Sequence, residues 1–303
     1  MQRYYSYNQY LKNKFGRKMY KLSLSISCIC PNRDGSKGVG GCIFCSQGGS
    51  GDFAEDINKS VCEQIEAAKK RVEKKNRGGG YVAYFQSFTS TYMPPKKLYE
   101  HLLSAAEHPD IEGISVATRA DCLGEEIIEV LKKINDLVPL TVEMGLQSIH
   151  SKTAELINRK CELSEYENAL KRLKNAKIET VYHIILGLPF ETEKMMLDTV
   201  SYVSKSGVDG VKIQLLHVLK NTRLSEMYQN GEFETLSKEK YIALVAKAIE
   251  LLPKEMVIHR LTGDGDKKSL VAPLWSGNKK DVLNSINRYF EENDIVQGKA
   301  LKN

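Results

Sequence analysis

The sequence has no uninterrupted apolar run near the roughly 20 residues that a membrane-spanning helix needs, which argues against a membrane protein. Its first 20 residues are rich in tyrosine and basic side chains and contain no apolar stretch, so we expect no secretory signal. No internal repeat or low-complexity segment is present. We therefore expect a cytoplasmic location, where the seven cysteines are more typical of metal ligands or buried thiols than of disulfides.

The charge balance is moderately basic. The 303 residues include 44 Lys and Arg against 38 Asp and Glu, a formal charge of +6. Much of the excess lies in short runs within 69–77 and 159–177. Such runs are compatible with a nucleic-acid partner, but they are also typical of the solvated faces of amphipathic helices. Composition alone leaves both interpretations open.

Short apolar, β-branched segments alternate with longer segments of helical period through most of the chain. The predicted strands are 22–27, 81–85, 113–118, 140–144, 180–186 and 210–216, and the helices between them are 59–75, 95–107, 125–136, 165–176 and 192–206. Six such units predict βαβ repeats and a parallel sheet covered by helices. We expect an α/β fold in which residues 1–222 form a partial (β/α)6 barrel of the TIM type.

The regular alternation of strands and helices changes after residue 222. A helix at 238–252, a strand at 256–260 and a helix at 280–292 predict a C-terminal α/β extension, residues 223–303, packed on the barrel. In barrels of this kind the functional side chains lie at the C-terminal ends of the strands.

Three cysteines follow the first predicted strand directly. Cys30, Cys42 and Cys45 are spaced C-x11-C-x2-C, and the loop inside the spacing contains four glycines. Glycine-rich backbone can wrap closely around an inorganic cluster. Three thiolates on a four-iron cluster leave one iron open for chemistry, as at catalytic metals in general.

Cys28 complicates this interpretation because it adds a fourth thiol. Four thiolates suit a structural zinc or an electron-transfer cluster, although C-x-C is not the usual zinc spacing. On spacing alone both interpretations stay open. Cys62, Cys122 and Cys161 are interpreted as small buried hydrophobes.

The motif Cys-Pro at 30–31 followed by Cys-Ile-Phe-Cys at 42–45 resembles radical S-adenosylmethionine (SAM) enzymes. The resemblance is to the Elongator-like class, which includes the Elongator catalytic subunit and oxygen-independent coproporphyrinogen oxidase. The stretches Cys-Pro-Asn-Arg-Asp-Gly at 30–35 and Gly-Gly-Cys at 40–42 are similar to the stand-alone bacterial branch of the YhcC/YtqA type. Further family motifs end the predicted strands or follow them: Thr-Arg-Ala-Asp at 118–121, Glu-Met-Gly-Leu-Gln-Ser at 143–148, Asn-Arg-Lys at 158–160 and Gly-Leu-Pro at 187–189.

The resemblance implies a radical SAM barrel, a [4Fe–4S] cluster bound by Cys30, Cys42 and Cys45, and S-adenosyl-L-methionine as second cofactor. It implies SAM contacts from Phe44, Ser87, Thr89, Glu143, Gln147, Arg159 and His183. In the family, the glutamine contacts the ribose and the arginine pairs with the carboxylate, a bidentate task that suits a guanidinium. The turn at 87–89 has no glycine, unlike the Gly-Gly turn usual at this place.

The resemblance also implies the reaction class. The reduced cluster gives one electron to SAM, which splits into methionine and a 5′-deoxyadenosyl radical, and the radical abstracts a hydrogen atom from the substrate. Candidate substrate-side residues are Arg119, Asp121, Lys212, His217 and Lys220. Members of the branch are linked to the wobble uridine of tRNA, where 5-carboxymethylaminomethyluridine loses its carboxymethyl part to leave 5-aminomethyluridine.

The expected partners are tRNA and an electron donor such as flavodoxin or ferredoxin, with no membrane. Two alternatives stay open. One is a radical SAM enzyme acting on a small carboxylate metabolite, whose acid groups the basic residues would bind. The other is a zinc-stabilised RNA-binding module without catalysis, in which Cys28 would be the fourth ligand.

Overall fold

A computed structural model of the chain describes residues 2–46, 48–49, 54–263, 265 and 267–301. The strands are β1 (Met19–Leu24), β2 (Gly80–Phe85), β3 (Ile111–Thr118), β4 (Leu140–Gln147), β5 (Glu179–Leu186), β6 (Gly210–Leu215), β7 (Val218–Leu219), β8 (Val257–Arg260) and β9 (Leu270–Ala272). Seven of them form one parallel sheet in the order β1-β2-β3-β4-β5-β6-β8. β7 and β9 form a separate antiparallel pair. Because the sheet order follows the chain order, the βα repeats wind in one direction, as in a barrel.

The helices are α1 (Tyr7–Phe15), α2 (Val61–Val72), α3 (Pro95–Ala106), α4 (Glu125–Asn135), α5 (Ser151–Leu156), α6 (Leu163–Asn175), α7 (Glu193–Lys205), α8 (Arg223–Gln229), α9 (Lys238–Glu250) and α10 (Lys279–Glu292). Local sequence explains where they begin. Ser60 and Glu63 form a capping box at the start of α2, and Pro95 occupies the first turn of α3. None of the helices in the described ranges has the length and apolar character of a membrane-spanning segment.

The sheet is curled, and side chains from distant strands meet inside it. Leu22 and Leu24 of β1 pack into the main hydrophobic core, whereas Lys21 faces the opposite side of the strand. Lys212 Nζ on β6 lies 3.1 Å from the Tyr84 hydroxyl on β2. In a flat sheet these strands would be roughly 19 Å apart, since neighbours are spaced about 4.8 Å. The contact therefore requires a partial barrel.

The predicted α/β partial barrel is confirmed, with one difference in the strand count. The segment predicted as a strand of the C-terminal extension is β8, which pairs with β6 through Gly210 and Val257 and becomes the seventh strand of the sheet. The alternation of residues along a segment predicts a strand but not the sheet that it joins, because tertiary contacts decide strand pairing. The boundary after residue 222 stays a prediction.

Helix α1, which the sequence analysis missed, lies between the two edges of the sheet. Ser6 caps its first turn and forms a parallel bridge with Ile258 of β8. Leu11 of α1 packs with Met19 of β1 and Val82 of β2 in a small apolar cluster. Met19 begins its strand, so this cluster closes the interior of the barrel at the N-terminal ends of the strands.

Helix α1 acts as a plug at this end of the barrel. We expect truncation of its buried side chain, Leu11, to destabilise the whole domain. Leu11→Ala removes a buried side chain from a site flanked by two strands and should lower the free energy of unfolding by about 2–4 kcal/mol, as buried leucine truncations do. Urea denaturation measures the change. The matched control is Lys12→Ala on the exposed face of the same helix, with an expected change within about 0.5 kcal/mol. Equal effects of the two substitutions would contradict the assignment of α1 as a plug.

Candidate active site

The loop after β1 brings the three motif cysteines together. Its backbone folds back on itself: the N–H of Arg33 donates to the carbonyl of Cys30 at 2.8 Å, and the N–H of Cys45 donates to that of Cys42 at 3.0 Å. The thiols of Cys42 and Cys45 lie within hydrogen-bond distance of each other, and the charge of Cys30 acts on Cys45. All three cysteines are half-buried and free of disulfides.

Two asparagines fasten this loop to the segment between α5 and α6. The Asn158 amide donates to the carbonyl of Gly41 at 2.8 Å, and the Asn32 amide donates to the carbonyl of Asn158. The N–H of Ile43 donates to the carbonyl of Ile157 at 3.1 Å. Asn158 adopts a left-handed backbone with φ 55°, a conformation that asparagine tolerates better than most residues. The cysteine loop is thus positioned by the helical layer that follows β4.

The pKa values of Cys42 and Cys28 are shifted in opposite directions. Hydrogen bonding to Cys45, together with the charges of Arg119 and Arg159, lowers the pKa of Cys42 to about 7 although the thiol is buried. Burial raises the pKa of Cys28 to about 11, and its thiol donates to the carbonyl of Ser87 at 3.3 Å. The hydrogen bond that lowers the pKa of Cys42 raises that of Cys45 well above its usual value, so these two thiols share one proton, whereas the Cys28 thiol is engaged with the backbone of Ser87.

Arg119 and Arg159 both brace the backbone near the cysteine loop. Arg119 forms a bidentate ion pair with Asp121 at 2.8 and 2.9 Å and donates to the carbonyls of Arg159 and Lys160 at 2.8 and 3.0 Å. The Arg159 side chain stacks on the ring of Tyr166 and donates to three carbonyls, those of Leu146, Ser148 and Cys161. In this structure Arg159 thereby fixes the end of β4. Its pairing with a SAM carboxylate stays a prediction.

Gln147 ends β4 in a strained conformation. Its φ is 64°, in the left-handed region that β4 otherwise avoids, and the register with β5 shifts between Gly145 and Gln147. The Gln147 side chain folds over Gly145, since a Cβ added at Gly145 would lie 2.7 Å from Gln147 Nε2. Glycine is therefore needed at position 145 for this side-chain placement.

Three buried side-chain oxygens near this edge have no hydrogen-bond partner within the described part of the chain. They are Asn32 Oδ1 in the cysteine loop, Ser87 Oγ after β2 and Gln147 Oε1 at the end of β4. An unsatisfied buried polar atom costs about 1–3 kcal/mol, so such atoms call for an explanation. A polar ligand bound at the C-terminal edge of the sheet would supply the missing partners.

A second polar cluster lies deeper inside the barrel, around Glu143. The fully buried carboxylate accepts from Lys21 at 2.5 Å, Lys212 at 2.6 Å and His183 at 2.7 Å. Ser115 and Tyr84 also donate to it, at 2.7 and 3.2 Å. These six side chains come from β1 to β6, one from each strand, and we call them the interior polar layer.

The charges in the interior polar layer shift one another's titration. Burial would raise the pKa of Glu143, but Lys21, Lys212 and His183 hold that pKa well below its usual range. Burial and the repulsion of Lys21 lower the pKa of Lys212 to about 7 despite the attraction of Glu143. Burial and Lys212 lower the pKa of His183 to about 4, so the ring is neutral at pH 7 and donates one N–H to Glu143.

The remaining predicted site residues lie in different places. Ser87 and Thr89 are buried in the turn after β2, and Phe44 packs against a core cluster that includes Ile185. His217 lies against Gly263, where an added Cβ would be 2.9 Å from its ring. Lys220 is exposed and donates to the carbonyl of Lys268 at 3.0 Å. The structure therefore brings Glu143, His183 and Lys212 together but leaves Lys220 outside the interior.

Sequence reasoning missed three members of the interior polar layer, Lys21, Tyr84 and Ser115. A signal was available: each lies next to apolar positions of its strand, such as Leu22, Phe85 and Val116. A polar residue at an inward-facing position of a barrel strand is unusual enough to mark a candidate functional residue.

Comparison with known proteins identifies the family. Residues 24–203 match the radical SAM superfamily, and residues 208–292 match the radical SAM C-terminal domain. The chain belongs to the radical SAM superfamily. The prediction of a radical SAM enzyme is thereby confirmed, and family membership removes the alternative of a zinc module without catalysis. The cofactors of this radical SAM enzyme are a [4Fe–4S] cluster and SAM.

Relatives of this radical SAM enzyme agree with the predicted branch. The uncharacterized protein YtqA of Bacillus subtilis is 42% identical, over 98% of this chain and 92% of its own. A tRNA uridine(34) acetyltransferase of Methanocaldococcus jannaschii is 28% identical over 63% of this chain and 34% of its own. The solved structure of Methanocaldococcus infernus Elp3 shares the fold, with a TM-score of 0.71, 18% identity, and coverage of 92% of this chain and 64% of that one.

The residues at the C-terminal edge of the sheet fit both cofactors. Three free thiols converge in one loop, a thiolate is favoured at Cys42, and the fourth thiol, Cys28, is held by Ser87. Three cysteine ligands would leave one iron of a cluster open. The unpartnered oxygens of Ser87 and Gln147 suit the polar groups of SAM.

We expect Gly145→Ala to weaken SAM binding without loss of the cluster. The new Cβ displaces the Gln147 amide, and the loss of one ligand hydrogen bond corresponds to about a tenfold rise in Kd. Isothermal titration calorimetry with SAM measures the effect, and an iron assay checks the cluster. In the control Gly113→Ala on β3, the new Cβ meets its nearest neighbours at 3.5 Å, an ordinary contact. If both variants bind SAM like the unmodified enzyme, Gln147 is not a SAM contact.

The depressed pKa of His183 predicts a pH-dependent contribution to stability. The unfolded state takes up a proton near pH 6.5 and the folded state only near pH 4, so the free energy of unfolding falls as the pH drops through this window. The loss amounts to about 3 kcal/mol. His183→Gln keeps a donor toward Glu143 but does not titrate, so urea denaturation between these pH values should show a flatter dependence. Identical slopes for the two proteins would refute this contribution.

Proposed function

We propose that this radical SAM enzyme modifies the side chain of the wobble uridine of tRNA, removing the carboxymethyl part of 5-carboxymethylaminomethyluridine to leave 5-aminomethyluridine. The observation that carries the proposal is the similarity to a tRNA uridine(34) acetyltransferase, whose name places its action on the wobble position. The formal charge of +6 also suits a polyanionic partner, because phosphate contacts dominate affinity for nucleic acids.

Within this proposal Cys30, Cys42 and Cys45 bind the [4Fe–4S] cluster. The support is their convergence in one loop and the low pKa of Cys42. Held by these three thiolates, the cluster would supply the electron for the reductive cleavage of SAM that is the chemistry of the family. Cys28 is not a ligand in this proposal, because its thiol donates to the carbonyl of Ser87.

The protein positions SAM through the ends of β2 and β4. Ser87 and Gln147 offer unpartnered oxygens, Thr89 is buried beside Ser87, and Phe44 supplies an apolar ring next to the cysteine loop. Arg159 shapes the site by holding the end of β4. These side chains orient the cofactor and exclude water, while the cofactor carries the radical chemistry.

The substrate side is assigned to Lys212 and His217, with Arg119 and Asp121 at the rim. Lys212 lies in the barrel interior, where burial lowers its pKa to about 7, so near neutral pH it can hold or release a proton. His217 follows β6 and lies at the C-terminal edge of the sheet. Lys220 is exposed, so its part would be contact with the tRNA and not chemistry. The electron donor, flavodoxin or ferredoxin, and the cytoplasmic location stay predictions.

A second candidate is a small carboxylate metabolite as substrate. The observation that favours it is the pair of lysines inside the barrel, which would suit any carboxylate. The two candidates differ in salt dependence, because tRNA affinity falls steeply with salt through counterion release, whereas the affinity for a small acid depends on salt only weakly.

The tRNA function predicts a defined change in a deletion strain. Without the enzyme, total tRNA should accumulate 5-carboxymethylaminomethyluridine and lose 5-aminomethyluridine and nucleosides made from it, measured by mass spectrometry of digested tRNA. The unmodified gene should restore the profile. Cys42→Ala should not, since one cluster ligand is missing.

The control variant is Cys62→Ala. The expectation that Cys62 is buried was wrong, since it lies exposed on α2 away from the loop, and this variant should restore the profile fully. An unchanged nucleoside profile in the deletion strain would refute the tRNA function and leave the small carboxylate as the candidate substrate.

A further inference from the structure

The interior polar layer holds more basic than acidic groups among the described residues. Two amines, Lys21 and Lys212, face the single carboxylate of Glu143. The charge of Arg260 acts on Lys21 and Lys212 as well. Burial penalises an uncompensated charge and lowers the pKa of Lys212 to about 7, so a bound anion would stabilise the protonated amine.

The two histidines beside the amines add no positive charge. Burial and Lys212 lower the pKa of His183, and burial and Lys21 lower the pKa of His259 on β8 well below the usual value. Both rings therefore stay neutral at pH 7, and the charge of the layer comes from its carboxylate and its amines.

The layer is partly exposed. Lys21 keeps 21% and His183 keeps 12% of its side-chain surface exposed, although their contacts with Glu143 place both inside the curled sheet. The next inward-facing positions toward the C-terminal edge are Ala117 on β3 and Gly145 on β4, and the Gln147 amide folds over Gly145. The Gln147 side chain therefore lies between the layer and the predicted SAM-binding edge.

Helix α1 covers part of the layer on the opposite side. Tyr7 of α1 stacks on the ring of His259 at 4.1 Å, and Lys21 Nζ lies 4.8 Å above the Tyr7 ring. Leu11 packs beyond it against Met19. Beside α1, a cavity lined in part by Glu179 and His259 lies at the same ends of the strands.

Stability alone gives no reason for this layer. Replacing a buried ion pair by apolar residues of similar volume is often neutral or stabilising, by about 1–4 kcal/mol. The layer instead has the geometry of a ligand site. Ammonium and hydroxyl donors converge there from β1, β2 and β6.

We propose that Lys21 and Lys212, with Tyr84 beside them, form the site that binds a carboxylate of the substrate inside the barrel. Where the substrate is the wobble nucleoside, this inference rests on the proposed function, and the anion would be the carboxymethyl carboxylate at the end of the side chain. This carboxylate site lies below the cofactor edge. It would bind the carboxylate end of the substrate while the rest of the substrate side chain extends toward SAM.

The first test uses acetate, a carboxylate that needs no tRNA. Titration of the anaerobically purified holoenzyme with carbon-13-labelled acetate, followed by NMR line broadening, should show saturable binding. Lys212→Met should weaken it at least about tenfold, as expected for one lost charge-assisted hydrogen bond. The control Lys133→Met, on the outer face of α4, should bind acetate unchanged.

Lys212→Met leaves Glu143 with one fewer partner and could unfold the chain. The double variant Glu143→Gln with Lys212→Met removes both charges and keeps the test usable, with circular dichroism as the check on folding. Acetate binding that is absent, or that is equal in the unmodified enzyme and in both lysine-lacking variants, would overturn the carboxylate site.

The second test compares two nucleosides by calorimetry, 5-carboxymethylaminomethyluridine and 5-aminomethyluridine. The first should bind more tightly to the unmodified enzyme, and the difference should vanish in Lys212→Met. If acetate binds but neither nucleoside does, the wobble-uridine function is wrong and the carboxylate site stands. SAM affinity should change less than twofold in Lys212→Met. A parallel loss of SAM affinity would assign the layer to the carboxylate of SAM and overturn the substrate assignment.

Discussion

The carboxylate of Glu143 is the point on which opposite sides of the barrel meet. It lies on β4 and accepts hydrogen bonds from strands on both sides, including Lys21 on β1 and Lys212 on β6. A charge buried this deeply has to be paired, and loss of one partner from a buried pair costs roughly 3–5 kcal/mol. The pairing of Glu143 therefore fixes both the curl of the sheet and the orientation of the side chains that face its interior.

The cofactor edge is built on the same strand. β4 runs from Glu143 through Gly145 to Gln147, where the register with β5 shifts and the backbone turns left-handed. Arg159 then holds the carbonyls at the end of β4, and Asn158 holds the cysteine loop. The cluster loop has little regular structure of its own, so its position depends on contacts with this rigid edge. Such support is what a site of defined geometry requires.

The candidate functional residues lie at two levels of the barrel, the C-terminal edge of the sheet and the interior. The edge carries the thiols and the unpartnered oxygens of Ser87 and Gln147, which fit the cofactors of a radical SAM enzyme. The interior carries Lys21 and Lys212, which fit an anionic end of a substrate. A substrate bound between the levels would present its reacting carbon to the cofactor side, with water excluded by α1 below.

The sequence by itself determined the strand–helix alternation, the cysteine loop and the family, because periodicity, spacing and motif order are local properties of the chain. It did not reveal that 256–260 joins the main sheet, that α1 closes the barrel, or that Arg159 is committed to backbone carbonyls. It singled out Glu143, His183 and Lys212 separately and missed Lys21, Tyr84 and Ser115. Only the tertiary structure decided that these six side chains form one layer, because they lie up to 191 positions apart and meet only when the sheet curls.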